Sequence, residues 1–191
     1  MPSAQYWEAA RTGVILLGLL CGGAAAAAAQ DGAKTPRGAE RFAALNWLVG
    51  EWRGFGKFAK TTSYIHKRFA YDVAGVYLTE RTLDVFPPPE PSTDFELHQD
   101  LVVYYREGAD GPFRAKGFYV ESFVASLNVT IGEGGDSVTL ESTQIENAPA
   151  GMRTRVTYAR QGVDKLQGTF EMAAPGEPYR GVEQLMMQRI H

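Results

Sequence analysis

Cysteine is nearly absent from this chain: its 191 residues hold one, Cys21, inside the N-terminal segment. A chain processed after that segment therefore has no disulfide, no thiolate nucleophile and no cysteine metal site. Histidine is also scarce, with His66, His98 and His191 the only three. The 19 basic residues against 22 acidic ones give a formal charge of -3, so there is no basic field to attract nucleic acid. No apolar run after the first 29 residues is long enough to enter a membrane. There is no Gly-x-Ser-x-Gly elbow, and the glycines from Gly132 to Gly135 lead into a strand pattern, not a helix, which excludes a phosphate-binding loop. Serine chemistry would need residues gathered from distant strands, which only geometry can reveal.

The first 29 residues read as a cleaved secretory signal. Arg11 supplies the positive start, Gly13 to Leu20 the apolar stretch, and Ala24 to Ala29 a small-residue tract ahead of Gln30. This predicts export, with a bacterial periplasm as the compartment; the alternative is a lipid anchor on Cys21, although Leu20 stands where such a site usually carries a small residue. Residues 30–38, with Pro36, read as a flexible linker, and residues 39–191 as one domain. Asn128-Val129-Thr130 matches a glycosylation acceptor in a eukaryotic pathway, and a plain strand segment in a periplasmic protein.

Within the domain, Phe42, Leu45 and Leu48 recur at helical spacing, which predicts a short helix or turn lying over an opening. After Leu48 the helical period fades. Strand-like runs follow at 50–59, 63–73, 76–86, 98–106, 113–120, 123–131, 137–145, 152–160, 165–173 and 180–190, separated by Gly, Pro, Asn and Asp. Pro87-Pro88-Pro89-Glu90-Pro91 cannot donate ladder hydrogen bonds and predicts a stiff rim loop between the third and fourth strands. Ten short-looped strands predict an all-β, antiparallel up-and-down barrel, whose closure leaves no exposed edge and which has room for a small molecule.

The segment Leu45-Asn46-Trp47-Leu48-Val49-Gly50-Glu51-Trp52-Arg53-Gly54-Phe55-Gly56 runs a short apolar helix into a Gly-x-Trp strand. Together with Glu96 to Asp100, Ile145-Glu146-Asn147, Arg153-Thr154-Arg155, Phe170 to Ala173, Pro178 and the strand ending at Arg189, it resembles the calycins: lipocalins, fatty-acid-binding proteins and, most of all, nitrobindin-like haem barrels and their bacterial relatives. The resemblance implies that Arg189 lies over Trp52 and closes the barrel base. A guanidinium on an indole face contributes ~0.5–2 kcal/mol. It also raises the question of haem. Nitrobindin-like barrels place an axial histidine in the last strand, and here Tyr179 to Met187 contains none; His191 stands at the chain end, and Met186 or Met187 would be the substitute thioether. Haem is therefore disfavoured, and the cofactor is left unknown.

Glu96, His98 and Asp100 alternate and so share one strand face. If that face looks inward they form a hydrogen-bonded polar line, or a weak metal candidate that a neighbouring strand would have to complete. Arg81, on a face with Tyr77 and Thr79, and Arg153, on a face with Arg155 and Thr157, are candidate carboxylate clamps, or else partners of acids such as Glu146 and Glu171. Tyr104, Tyr119, Tyr158 and Tyr64 offer an apolar body with a hydroxyl, for a cavity wall or for core packing. His66, with Tyr64 and Arg68, reads as an ordinary polar face.

These readings converge on a secreted barrel that binds a small hydrophobic or amphipathic molecule, with or without an acidic group, through Arg81, His98, Asp100, Tyr104, Tyr119, Arg153 and Tyr158. The alternatives are a haem- or metal-dependent redox or enzymatic barrel built on His98, and a structural barrel with a filled interior. Which strand faces line the interior, and the oligomeric state, are left open, because a one-residue slip exchanges the two faces.

Overall fold

The computed structural model describes residues 37–190 except Pro89 and Ala109. The signal segment, Cys21, residues 30–36 of the linker and His191 lie outside the described residues. The chain forms ten strands: β1 Gly50–Lys57, β2 Thr62–Asp72, β3 Tyr77–Phe86, β4 Glu96–Arg106, β5 Phe113–Phe118, β6 Val124–Ile131, β7 Ser137–Glu146, β8 Arg153–Arg160, β9 Lys165–Ala173 and β10 Arg180–Ile190. Each pairs antiparallel with its sequence neighbour, and β1 pairs with β10 to close the barrel. The all-β, up-and-down architecture expected from the turn spacing is the one observed.

The closing register sets Trp52 opposite Arg189, and no strand edge is left free to recruit another chain. Period-two alternation then sorts every strand into an inner and an outer face. On β2, for example, Ser63, Ile65, Lys67 and Phe69 are buried while Thr62, Tyr64 and Arg68 are exposed. The β6–β7 turn needs backbone that most side chains resist, and Gly134 and Gly135 take φ of 88° and 75° there.

One end of the barrel is capped. A short helix α1, Arg37–Arg41, leads into a 3-10 helix at Ala43–Leu48. Phe42, Leu45 and Leu48 repeat every three residues, which matches the three-residue turn of a 3-10 helix and points all of them down into the core, where none is exposed. Helix α1 takes up the last two residues of the expected linker, 37 and 38. Gly38 allows this: its carbonyl accepts the Phe42 N–H at 2.9 Å. A Cβ on Gly38 would lie 2.4 Å from the Tyr71 ring. Beneath the cap, Trp52 donates its indole N–H to the Leu48 carbonyl at 2.7 Å, and Phe42 stacks on Phe113 with ring centres 5.8 Å apart. The apolar core thus fills the capped half. The opposite mouth is formed by the ends of β1, β3, β5, β7 and β9 and the starts of β2, β4, β6, β8 and β10.

Candidate functional site

Register alone assembles a polar interior in the other half. Across β2, β3 and β4, Lys67 stands opposite Thr82 and Thr82 opposite Asp100; one row nearer the mouth, Ile65 stands opposite Asp84 and Asp84 opposite His98. All of these are inner-face positions, so two rows of polar groups lie stacked inside one wall.

The deeper row forms a plate. Lys67 donates to Glu80 Oε1 at 2.8 Å and to Thr82 Oγ1 at 2.7 Å. Tyr104 donates to Glu80 Oε2 and Tyr158 to Glu80 Oε1, each at 2.6 Å. Phe69 meets the Tyr158 ring edge-on at 5.9 Å. Burial pushes Glu80 up, but the Lys67 charge and three hydrogen bonds outweigh it and hold the carboxyl below its ordinary value. Lys67 is drawn down by burial and held above its ordinary value by Glu80, Asp84 and Glu183. The two phenols are pushed well up by burial and the Glu80 charge. Every side-chain oxygen and nitrogen in this plate has a partner, and the plate separates the apolar half from the mouth.

The row toward the mouth is different. Asp84 Oδ1, Glu183 Oε1 and Ser63 Oγ are buried without a hydrogen-bond partner among the described residues. Glu183 is only 8% exposed, and it faces inward where a register irregularity between Gly181 and Glu183 interrupts the β9–β10 ladder. Its carboxylate occupies the space a side chain on Gly56 would need: a Cβ there would lie 1.8 Å from Glu183 Oε1 and 2.8 Å from Ser63 Oγ. Burial and the Asp84 charge push Glu183 up to about 7. Burial likewise raises Asp84, and at the end of the deeper row it pushes Asp100 up to about 6 against the Val120 N–H that Asp100 accepts at 3.2 Å.

His98 sits between two acids, with Nδ1 3.2 Å from Glu121 and Nε2 2.9 Å from Glu96. The hydrogen bonds to Glu121 and Glu96 outweigh burial and raise it to about 9, so at neutral pH it is an imidazolium with both nitrogens donating. Among the described residues, no three His, Cys, Asp or Glu side chains are grouped to hold a metal ion. His98 is thus bonded to Glu96 and Glu121, while Asp100 accepts from the Val120 N–H instead, so the three do not form one hydrogen-bonded line. Met186 lies on the outer wall, 59% exposed, and Met187 is packed into the core.

Of the residues singled out in the sequence, His98, Asp100, Tyr104, Tyr119 and Tyr158 come together inside. Tyr119 lies over Gly117, whose Cβ would be 2.5 Å from the tyrosine oxygen. Trp52 and Arg189 meet at the capped end, with the guanidinium carbon 4.2 Å from the indole. Arg189 also donates to the carbonyls of Val49 and, at 2.7 Å, Trp47. Gly50 makes room for it: its φ is 128°, and a Cβ there would lie 2.6 Å from Arg189 Nη1.

Arg81 and Arg153 do not join the interior. Arg81 is exposed on the outer wall, opposite Arg68. Arg153 is also on the outer wall, donating to the Glu177 carbonyl at 2.7 Å and lying 4.9 Å over the Tyr179 ring. The reason is parity. Arg153 and Tyr158 are five residues apart on one continuous strand, so they face opposite ways, and Tyr158 is the inner one. On β3 the inner face carries Leu78, Glu80, Thr82 and Asp84, not Thr79 and Arg81.

The hollows on the outside are not part of this interior. One of about 610 Å³ lies beside Trp47, Arg160, Asp164 and Arg189, and one of about 230 Å³ beside Arg68, Tyr71 and Arg81. No helix among the described residues is long and apolar enough to cross a membrane.

No family model matches the chain, and no curated protein matches it by sequence. Among solved structures it is similar to the crystal structure of Rv2717c from M. tuberculosis, with a TM-score of 0.55 and 19% sequence identity over 78% of this chain and 98% of that one. At that identity the likeness shows a shared barrel fold.

Proposed function

We propose that the barrel binds a small amphipathic molecule at its uncapped mouth, after export directed by the first 29 residues. The observation that carries this is the contrast between the two polar rows. The plate around Glu80 is fully paired, whereas the row above it presents Ser63 Oγ, Asp84 Oδ1 and Glu183 Oε1, buried and unpartnered. A buried acceptor left without a donor costs about 1–3 kcal/mol, so a group of them suits a partner that arrives from outside. The inner positions of the facing strands carry small side chains, Ala125, Ser142 and Thr154. Apolar surface lies beside the polar row: Phe58 packs on Phe86 at 5.2 Å, and Phe86 on His98 at 5.0 Å, while Phe95 and Val120 stand exposed nearby. A ligand would rest its apolar body on these rings and turn its polar end inward as far as the plate.

A second reading, a structural barrel with a filled interior, is favoured by the plate, which closes the middle of the barrel. One experiment separates the two. Native mass spectrometry of the protein taken from its own compartment, followed by denaturation, releases a stoichiometric amphiphile if the first reading holds. An empty protein that also fails to bind added amphiphiles leaves the filled barrel. The mass of the mature chain in the same spectrum reads out cleavage after Ala29, or acylation at Cys21.

A further inference from the structure

We infer that the polar end of the ligand is a cation carrying N–H donors, an ammonium or guanidinium group seated among Ser63, Asp84 and Glu183; this rests on the amphiphile reading above. The unpartnered atoms at the mouth are all acceptors or, for the Ser63 hydroxyl, able to accept. Ser63 is not itself acidic. It is fully buried on β2, and its oxygen flanks the same Gly56 gap that Glu183 fills, so an independent group from another strand points into the same place.

The charges agree with the hydrogen bonds. Inside the mouth stand Asp84, Asp100 and Glu183. Lys67 is engaged by Glu80 and Thr82, and His98 by Glu96 and Glu121. The two arginines with the chemistry to hold an acid, Arg81 and Arg153, are on the outer wall. A ligand carboxylate would add a negative charge beside Glu183, which burial and the Asp84 and Asp100 charges already raise, whereas an ammonium supplies both the missing donors and the missing charge. The glycine at position 56 is then part of the site, because any side chain there would push the Glu183 carboxylate out of place.

The test compares three probes with the same chain length, octylamine, octanol and octanoate, by calorimetric titration of the purified protein near neutral pH. Octylamine is expected to bind about tenfold or more tighter than octanol, the size of a charge-assisted hydrogen bond, with octanoate weakest. Glu183→Gln should weaken octylamine by about tenfold and leave octanol unchanged, with Asp84→Asn as a second variant acting in the same direction. Circular dichroism melting verifies that each variant is folded.

The pH profile gives a further readout. Octylamine stays charged throughout, so its affinity should rise between about pH 5 and pH 8 as Glu183 ionises. The groups facing Glu183 are Asp84 on β3, Lys67 on β2, Asp100 and His98 on β4 and Tyr158 on β8. Of these, Asp84 and Asp100 ionise in the same direction, and Lys67 and His98 keep their charge in that range. Octanol or octanoate binding as tightly as octylamine, an octylamine preference that survives both substitutions, or a flat or falling pH profile overturns the cation while leaving the amphiphile reading standing. Binding of none of the three probes overturns the amphiphile reading, and the cation with it.

Discussion

Removing one member of the buried Lys67–Glu80 pair should be far more damaging than removing both. Lys67 is 7% exposed and Glu80 2%, so neither charge is solvated once its partner is gone. Lys67→Met leaves a carboxylate with the two tyrosine hydroxyls at 2.6 Å and no countercharge. Glu80→Gln leaves an ammonium with Thr82 at 2.7 Å and turns an amide N–H₂ toward groups that had been donating. Breaking a buried pair from one side costs about 3–5 kcal/mol, a large part of the 5–15 kcal/mol that holds a typical domain together. The tyrosines place Lys67→Met toward the lower end of that range. The double variant removes both desolvation costs and keeps an amide for the phenols, so its loss should be about 0–2 kcal/mol and the coupling at least about 2 kcal/mol. Urea unfolding of all four proteins near neutral pH, with the m-values compared, measures this. Additive losses, or single losses under about 1 kcal/mol, would refute the account of the plate. The acid limb supplies a second reading of the same cycle. Glu80 is held below its ordinary 4.5, so its stabilisation is present above that value and is lost as pH falls through the lower folded value. The wild-type and Glu80→Gln stabilities should therefore converge in strong acid.

Four further outcomes follow from other parts of the barrel. Glu183, raised to about 7, and Asp100, raised to about 6, hold protons in the folded chain that the unfolded chain gives up, so stability should fall as pH rises from about 4.5 toward 7. His98, raised to about 9, adds stability that is present below 6.5 and lost as pH climbs through 9; melting temperatures should accordingly peak near about pH 5, and a maximum at pH 8 would contradict this. For the same reason Glu183→Gln should stabilise the protein by up to about 3 kcal/mol at pH 8 and have no effect at pH 4. Gly56→Ala must displace the Glu183 carboxylate and should cost about 1–3 kcal/mol, largely recovered in Gly56→Ala/Glu183→Ala; an unrecovered loss would locate the strain elsewhere. At the capped end Arg189→Ala loses two carbonyl contacts and the Trp52 face, about 2–4 kcal/mol in thermal or chemical unfolding, and Arg189→Lys should restore less than half because an ammonium cannot fork to both carbonyls.

Much of the barrel was legible because its signals are local. Turn residues at about ten-residue spacing located all ten strands, and the three-residue repeat of Phe42, Leu45 and Leu48 located the cap. The interior was less legible because both faces of several strands are polar. On β3, Thr79 and Arg81 alternate with Glu80, Thr82 and Asp84, and nothing local distinguishes the inner set from the outer. The distinction comes from the partner strands: Leu78 stands opposite Tyr104, and Thr82 opposite Lys67. For that reason the sequence alone does not separate the inner Lys67, Glu80, Asp84, Glu183 and Ser63 from the outer Arg81 and Arg153. One signal was available. Arg153 and Tyr158, being five apart on an unbroken strand, cannot face the same way, so placing either one excludes the other. A second was Gly56, whose missing side chain the structure shows as the gap that admits Glu183.

The two polar rows inside the barrel bear on one another. A carboxyl and a lysine in a protein interior cost stability even when well paired, and leucine or methionine of similar size would serve packing alone as well or better. The plate offsets that cost by satisfying every atom it contains. The row above it does not, since Glu183, Asp84 and Ser63 retain unpaired oxygens while lying only a row away from a lysine that the plate has already engaged. Alternation with Leu185 and Met187 turns Glu183 inward, and the missing side chain at Gly56 leaves the space that its carboxylate fills. Packing alone gives no reason to keep such a group, whereas a bound cation would recover what the unpaired oxygens cost. If that is the arrangement, ligand binding and stability should be coupled with opposite signs at one residue: Glu183→Gln should raise the melting temperature of the empty protein and abolish most of the stabilisation that octylamine confers on the wild type. A variant that is less stable when empty, or that is stabilised by octylamine as strongly as the wild type, would break that coupling.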